Sequence, residues 1–470
     1  MEIKDKEKNL IKNTGILALG TICSKVFSFF LLPLYTAVLT TEDYGTVDVL
    51  QTISAFAMPF ITLQLCSGIF RFIIEKKDEK DWKEIITTGV MVEVINVVIF
   101  SIVIEIINLA IHIQYCQLFI LYFSSMALLE IIQNITRGFG NNGLYSVMSF
   151  EITFVSLISN LIMILGMGMR GDSILIASSL SFLAASIFGI FKQSLWKFID
   201  LKKFSVHTLR KMIHYCLPLI PNAISWWIAN ASDRLLIRTF LGVGANGIYA
   251  AANKIPTIYT TIFNVYNIAW IEALSRSAGD DNQEEFINSM LEKSLRLFGC
   301  ICLGIICCMS LFFGMLIGES YSAAYLHVYI LMIAIFFNSL CSLLGGIFTA
   351  YKRSDIIGKT TIYGAVVNIV VNLIFIKFIG LYAASISTLV SYIVIVFVRS
   401  RQAKSLMELK YPNKYLIKLF IMLVITTIGY VSKLMYLNIT ILIILIACSY
   451  YSNREMINTI LLSAWRKIRR

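Results

Sequence analysis

Apolar runs of about 20 residues, the length that crosses a bilayer core as an α-helix, follow one another along almost the whole chain. Short polar turns separate them. The pattern predicts fourteen spans, at about 14–39, 46–70, 85–109, 116–136, 147–168, 173–191, 213–239, 248–271, 294–317, 326–350, 357–376, 380–398, 415–431 and 435–451. The expected fold is an all-α integral membrane protein, because helices packed in lipid form one continuous unit whatever the chain length. The first run is too long for the core of a signal peptide. It also ends in Leu39-Thr40-Thr41-Glu42, with no small-x-small cleavage pattern, so it reads as a retained span.

An internal repeat organises these spans. The first leads through Leu39-Thr40-Thr41-Glu42-Asp43-Tyr44-Gly45 into the second, and the seventh leads through Phe240-Leu241-Gly242-Val243-Gly244-Ala245-Asn246-Gly247 into the eighth. Likewise Ser159-Asn160-Leu161-Ile162 in the fifth span resembles Val371-Asn372-Leu373-Ile374 in the eleventh. Two six-span halves of the same orientation follow, with residues 1–200 as the first lobe, 201–410 as the second, and 411–470 as two further spans and a basic tail. Parallel repeats about an axis along the membrane normal are a recurrent transporter plan, with the substrate held between the halves.

Composition agrees: 58% of residues are hydrophobic and 14% charged, against about one-quarter charged in soluble chains. The net charge of +12 would suggest nucleic acid in a soluble protein, but its distribution points elsewhere. With the spans above, thirty-three of the forty Lys and Arg fall on one side and only Arg170, Lys377 and Lys433 on the other. By the positive-inside rule both termini are cytoplasmic, and no nucleic-acid partner is expected. The ten cysteines lie mostly within spans, where Cys300, Cys302, Cys307 and Cys308 read as small packing residues rather than metal ligands.

Four cations remain inside spans: Lys25 in the first, Arg234 and Arg238 in the seventh, and Lys254 in the eighth. A cation at membrane depth costs about 3 kcal/mol or more, so it usually faces a cavity, a partner or a ligand. Clustered positive charge points to an anionic cargo. Lys25 is the deepest. Arg238 stands near the outer end of its span, where its side chain can snorkel. Arg234 follows Asp233, and a structural ion pair with it is as good a reading as a ligand contact. Five of the six prolines share the same small set of helices: Pro33, Pro59, Pro218, Pro221 and Pro256. Each frees a carbonyl and can kink its helix, and interrupted helices at corresponding places in two halves point to a transport site. Trp226, Trp227 and Tyr249 can stack on sugar rings or serve as packing, and Asn230 adds hydrogen-bonding capacity. Glu93, Glu105, Glu130 and Glu151 lie in spans three to five, as proton carriers or as partners of Arg137 and interhelical amides.

Other motifs match by pattern and fail by context. Gly166-Met-Gly168-Met-Arg-Gly171 and Gly242-Val-Gly244-Ala-Asn-Gly247 spell G-x-G-x-x-G, but both sit in turns between spans and follow no strand. Gly358-Lys359-Thr360 mimics the end of a P-loop, yet position 353 is Arg where that loop needs Gly. The four histidines show no metal-ligand spacing and no D-x-D motif occurs, so neither metal nor cofactor is expected.

Two runs carry a resemblance. Lys12-Asn-Thr-Gly, Pro33-Leu-Tyr-Thr and Asp43-Tyr-Gly45 resemble the start of bacterial polysaccharide flippases. Asp233-Arg-Leu-Leu-Ile, Gly247-Ile-Tyr and Ala252-Asn-Lys-Ile-Pro256 resemble the start of their second half. These flippases belong to the multidrug/oligosaccharidyl-lipid/polysaccharide exporter superfamily, and the similarity covers essentially the whole chain. It implies movement of undecaprenyl-diphosphate-linked oligosaccharide between the leaflets of the bacterial plasma membrane, for capsule, O-antigen or a similar polymer. It further implies a two-lobe fold with spans 1, 2, 7 and 8 around a cavity faced by Lys25, Arg234 and Lys254. A coupling ion (H+ or Na+), a polysaccharide polymerase and glycosyltransferases are the partners that go with such a role. Within the superfamily a lipid II flippase is close in chemistry. A cation-coupled drug exporter is the other rival, although the first span holds Lys25 and no carboxylate. From another class, an integral-membrane polymerase or ligase would commonly carry a larger outer loop.

Overall fold

The computed structural model describes residues 30–76, 78–276, 282–351, 353–410 and 412–468. These are overwhelmingly α-helical, with no strand among the described residues. A helical stretch over 30–38 leads into α1 (Thr41–Ile61), α2 (Leu65–Glu75), α3 (Glu79–Ile111), α4 (Cys116–Gly138), α5 (Asn142–Leu161), α6 (Gly171–Gln193), α7 (Val206–Cys216) and α8 (Leu219–Leu241). Then come α9 (Val243–Arg276), α10 (Gln283–Leu316), α11 (Ala324–Ala350), α12 (Ser354–Ile379), α13 (Tyr382–Ala403), α14 (Asn413–Ser432) and α15 (Met435–Ile468).

Among the described residues ten helices are long and apolar enough to cross a membrane: α3 to α6 and α10 to α15. The pair α1 and α2, bent by 52° at the break between them, can count as an eleventh span. These correspond to predicted spans 3–6, 9–14 and 2. Of the other three, the first lies mostly outside the described residues, and the seventh and eighth form α8 and α9. Both are full-length helices, but Asp233, Arg234 and Lys254 dilute their apolar content. The apolar side chains that α3 leaves exposed, Val98, Ile102 and Ile106 among them, suit a lipid-facing helix.

The chain divides into two compact units, Met1–Ala250 and Ala251–Arg470. In the first, α1 starts where the Thr40 hydroxyl accepts from the Asp43 amide at 3.1 Å, with Glu42 and Asp43 in the positive first turn. The helix ends two residues after Pro59. Leu63 and Gln64 then take left-handed φ values of 52° and 55° before α2 begins. The kink predicted at Pro59 is therefore a break just beyond it. Pro218 and Pro221 also fall at a boundary, the first capping α8 and the second in its opening turn, where the missing N–H costs no helical hydrogen bond. Pro256 is internal to α9, and Pro33 lies in the helical stretch over 30–38. The core of this unit joins Leu65, Ile69 and Ile73 of α2 to Ile131 and Ile135 of α4, Met148 of α5 and Met212 of α7. Helix α6 packs on α4 and α5 through Ser181, Ala185, Ser186 and Gly189, small residues that let membrane helices approach closely.

The second unit repeats that arrangement: α13 packs on α11 and α12 through Ala383, Ala384, Ser387 and Ser391. Asn160 and its repeat counterpart Asn372 are both fully buried. The first of the two added helices, α14, is tied to α11 by a reciprocal pair. Tyr325 donates to the Tyr430 carbonyl at 2.8 Å, Tyr430 donates to the Tyr325 carbonyl at 2.6 Å, and their rings stack at 4.1 Å.

Arg399, which the charge count assigns to a loop, is instead only 5% exposed, inside α13. Its guanidinium donates to the Cys341 carbonyl (2.6 Å), Thr360 Oγ1 (2.9 Å), Thr361 Oγ1 (3.1 Å) and the Ile357 carbonyl (3.3 Å). It thereby ties α13 to α11 and α12. Arg399→Ala removes these donors and leaves buried acceptors unmatched, at a cost on the order of 3 kcal/mol. Thermal denaturation of the purified protein in detergent should show the loss, and an unchanged midpoint would mean that the fan of bonds does not hold the unit together.

Candidate functional site

The first unit brings α1, α8 and the start of α9 together at a crossing made by glycine. A Cβ placed on Gly45 would lie 2.0 Å from the carbonyl oxygen of Val243, and one on Gly247 would lie 1.9 Å from that of Thr41. The backbones touch, and only glycine at both positions allows it. Gly45 and Gly247 are the closing residues of the two repeated turns, so the chain crosses itself at equivalent points of its two halves.

One turn beyond Gly45, Asp48 enters this crossing, 7% exposed. Its Oδ1 stands 3.2 Å from a terminal guanidinium nitrogen of Arg234 on α8. Its Oδ2 accepts from Asn246 Nδ2 at 3.2 Å, and the same amide donates to the Gly45 carbonyl at 3.1 Å. The guanidinium nitrogen also reaches Thr52 Oγ1 at 3.3 Å. That hydroxyl gives its own proton to the Asp48 carbonyl at 2.7 Å, which leaves a lone pair for the cation. Two turns earlier on α8, Trp227 donates its indole N–H to the Thr52 carbonyl at 3.1 Å and packs its ring 4.6 Å from Phe56. α8 thus grips the Thr52 turn of α1 twice, once by charge and once by an aromatic anchor.

The neighbouring acid faces another way. Asp233 is 8% exposed and accepts from the Tyr249 hydroxyl at 3.1 Å. The residue that holds Arg234 is therefore Asp48 on α1, not its sequence neighbour. Asp48 and Asn246 are the members of this cluster that sequence reading misses. Each lies a few residues from one of the repeated turns, and an acid three positions after a turn glycine in a membrane span was the available signal. Side-chain exposure is 9% for Asp48 and 29% for Arg234, so the pair is partly desolvated without being sealed. A planar guanidinium matches carboxylate and phosphate with the same fork, so such a group can exchange one anion for another. No group of three or more His, Cys, Asp or Glu suited to a metal occurs among the described residues.

The other predicted site residues are distributed as follows. Lys25 lies outside the described residues, as do the side chains of Trp226 and Asn230. Arg238 is exposed in the last turn of α8, as a snorkelling cation would be. Tyr249 is 3% exposed, with its hydroxyl committed to Asp233. Lys254 is half-buried on α9, beyond the boundary of the first unit.

The family model for "polysaccharide biosynthesis protein" matches residues 10–278, more than half of the chain. The chain belongs to that family. This member of the polysaccharide biosynthesis family is also 21% identical over 406 residues to an uncharacterized membrane protein of Methanocaldococcus jannaschii, covering 82% of this chain and 95% of the relative. Among solved structures it resembles the lipid II flippase MurJ in an inward closed conformation, with a TM-score of 0.68 at 14% identity, covering 94% of this chain and 99% of the other. It similarly resembles an inward-facing multidrug resistance MATE family transporter of the MOP superfamily, with a TM-score of 0.67 at 14% identity, covering 82% and 95%. At that identity the likeness concerns the fold alone.

Two measurements probe this family member's site. Gly45→Ala and Gly247→Ala each drive a methyl group into a backbone carbonyl that cannot rotate away, and each should destabilise the protein by about 2 kcal/mol or more. A thermal midpoint equal to that of the unaltered protein for both variants would refute the close crossing. Independently, a double-mutant cycle of Asp48→Ala and Arg234→Ala on thermal stability should give a coupling on the order of 1 kcal/mol. Strict additivity would mean that the two charges do not hold one another.

Proposed function

We propose that this protein flips undecaprenyl-diphosphate-linked oligosaccharide from the cytoplasmic to the outer leaflet of the bacterial plasma membrane, for assembly of a surface polysaccharide. The observation that carries the proposal is the partly desolvated Arg234, held by an exchangeable carboxylate in a member of the polysaccharide biosynthesis family. A diphosphate bearing sugars cannot cross hydrocarbon unaided. A cationic cavity replaces its hydration with charge-assisted hydrogen bonds, while the polyprenyl tail stays in lipid. Lys25 and Lys254 join Arg234 in that role, with Arg238 near the outer end and Asp233 beside the cations. Trp226, Trp227, Asn230 and Tyr249 serve the sugars or the packing around them.

Alternating access supplies the movement, with lobes 1–200 and 201–410 rocking against each other and 411–470 carried along. The break beyond Pro59 and the α7–α8 boundary at Pro218 and Pro221 are natural bending points, with Pro33 and Pro256 as further ones. Parting α1 from α8 exchanges Asp48 for the cargo diphosphate on Arg234. A coupling ion, H+ or Na+, gives the cycle direction, since a ligand shifts a conformational equilibrium only by its differential affinity. Glycosyltransferases supply the cargo and a polymerase consumes it.

Lys25→Ala combined with Lys254→Ala should abolish polymer export at normal protein levels, while Lys25→Arg and Lys254→Arg retain part of it. Full export by the double-alanine variant would sink the cationic-cargo proposal. Depletion should leave lipid-linked repeat units in the inner leaflet. Their accumulation on the outer face would favour a polymerase or ligase instead, and arrest of the cell wall with the surface polymer intact would favour lipid II as cargo.

A further inference from the structure

The chain takes residues 194–218 to pass from α6 to α8, and this connection is ordered rather than slack. It forms two short 3₁₀ turns, Leu195–Phe198 and Leu201–Lys203, and then α7. Its inner side is bolted to the start of α3. Thr87 Oγ1 donates to the Phe198 carbonyl at 3.2 Å and accepts from the Asp200 amide at 3.0 Å, while Thr88 Oγ1 accepts from the Ser205 amide at 3.1 Å. Glu84 takes the Thr208 hydroxyl. Met212 and Cys216 bury the inner stripe of α7 completely.

What this connection leaves outside has an unusual composition. From Lys192 to Lys211 it carries six Lys and Arg against one acid, and all six are exposed. The acid, Asp200, is spent on capping, accepting from the Lys202 amide at 3.1 Å. Interleaved with the cations are large apolar side chains: Trp196 is 48% exposed, Ile199 45%, Leu201 68% and Val206 62%. Lysines alone would make a solvated basic face. Lysines alternating with Trp, Ile and Leu need a surface that is anionic at its skin and apolar just beneath, which is the composition of a bilayer interface. The position agrees. α6 and α3 are both membrane-crossing helices, the connection leaves the end of one and is bolted to the end of the other, and Phe191 at the exit of α6 is 66% exposed.

We propose that residues 192–211 form a binding surface for anionic phospholipid headgroups, with Trp196, Ile199 and Leu201 in the acyl boundary and Lys197, Lys202 and Lys203 on the phosphates. The positive-inside pattern assigns this surface to the cytoplasmic leaflet, where anionic lipid attracts juxtamembrane basic segments. It is independent of what the protein carries.

The test uses the intact protein in liposomes that mix phosphatidylglycerol and phosphatidylcholine, with bromine on the acyl chains of only one lipid at a time. Trp196 emission is read as the difference between the unaltered protein and Trp196→Phe. Brominated phosphatidylglycerol should quench that difference signal at least about threefold more than brominated phosphatidylcholine at equal mole fraction. The triple variant Lys197→Gln, Lys202→Gln and Lys203→Gln, all at exposed positions, should level the two lipids while Trp196 remains quenched. Absence of quenching by either lipid would overturn the proposal and leave the face to water or a soluble partner. Equal quenching in the unaltered protein would overturn the headgroup selectivity, and a preference surviving in the triple variant would overturn its assignment to these lysines.

Discussion

Two stretches of backbone meet without a side chain between them where α1 crosses the beginning of α9, and the site depends on that contact. Gly45 and Gly247 are separated by the same 202 residues as Thr41 and Val243, and each glycine lies against the carbonyl of the other half's partner. The contact is therefore reciprocal, as a repeated element meeting its own copy requires. It also sets a register. With the helices this close, Asp48 one turn along comes within hydrogen-bonding distance of both Asn246 and Arg234. A single methyl group at either glycine would push the helices apart and spread those distances beyond useful range.

Two guanidinium groups among the described residues, one buried and one partly exposed, are held by opposite means. Arg399 has a fan of four neutral acceptors, two carbonyls and two hydroxyls, and no carboxylate among its hydrogen-bond partners in the described residues. Neutral acceptors on two neighbouring helices leave it no alternative position, so its role is to fix α11, α12 and α13. Arg234 has a carboxylate and one hydroxyl on a single neighbouring helix, and its side chain is 29% exposed. Such a group can leave when a better anion arrives. Burial alone does not say whether a cation is fixed or exchangeable; the chemistry and the number of its partners do.

This contrast explains what could be read without coordinates. The apolar runs, the repeated turns and the coincidence of cations with prolines are local patterns of composition, and α3 to α6 and α10 to α15 follow them closely. The depth of Arg399 was not legible, because its four acceptors come from segments near 341 and 357–361, and a basic residue near a span end looks like any positive-inside charge. Arg234 was legible as a cation within a span, but its partner was not. Sequence adjacency favoured Asp233, whereas successive helical positions point about 100° apart, so neighbours seldom serve the same contact. Asp233 instead meets Tyr249, sixteen residues on. Three of the prolines, Pro59, Pro218 and Pro221, stand at or beside helix boundaries, because a proline in a first turn or shortly before a break removes less hydrogen bonding than one mid-helix.

A cation waiting in a bilayer for an anionic cargo faces opposed demands. Left unpaired at depth, it costs several kcal/mol. Matched by a fully engaged carboxylate in a sealed pocket, it would be held too firmly to exchange. On the proposed function Asp48 lies between these limits. It divides its oxygens between Arg234 and Asn246, so only one of them opposes the guanidinium. When a cargo diphosphate takes the guanidinium through two parallel hydrogen bonds, Asp48 keeps the amide of Asn246 and is not abandoned as a bare charge. When the cargo departs, the carboxylate is already positioned to return. Asn246, fully buried and bonded to both Asp48 and the Gly45 carbonyl, is then more than packing: it keeps the counter-charge in place through both halves of the exchange.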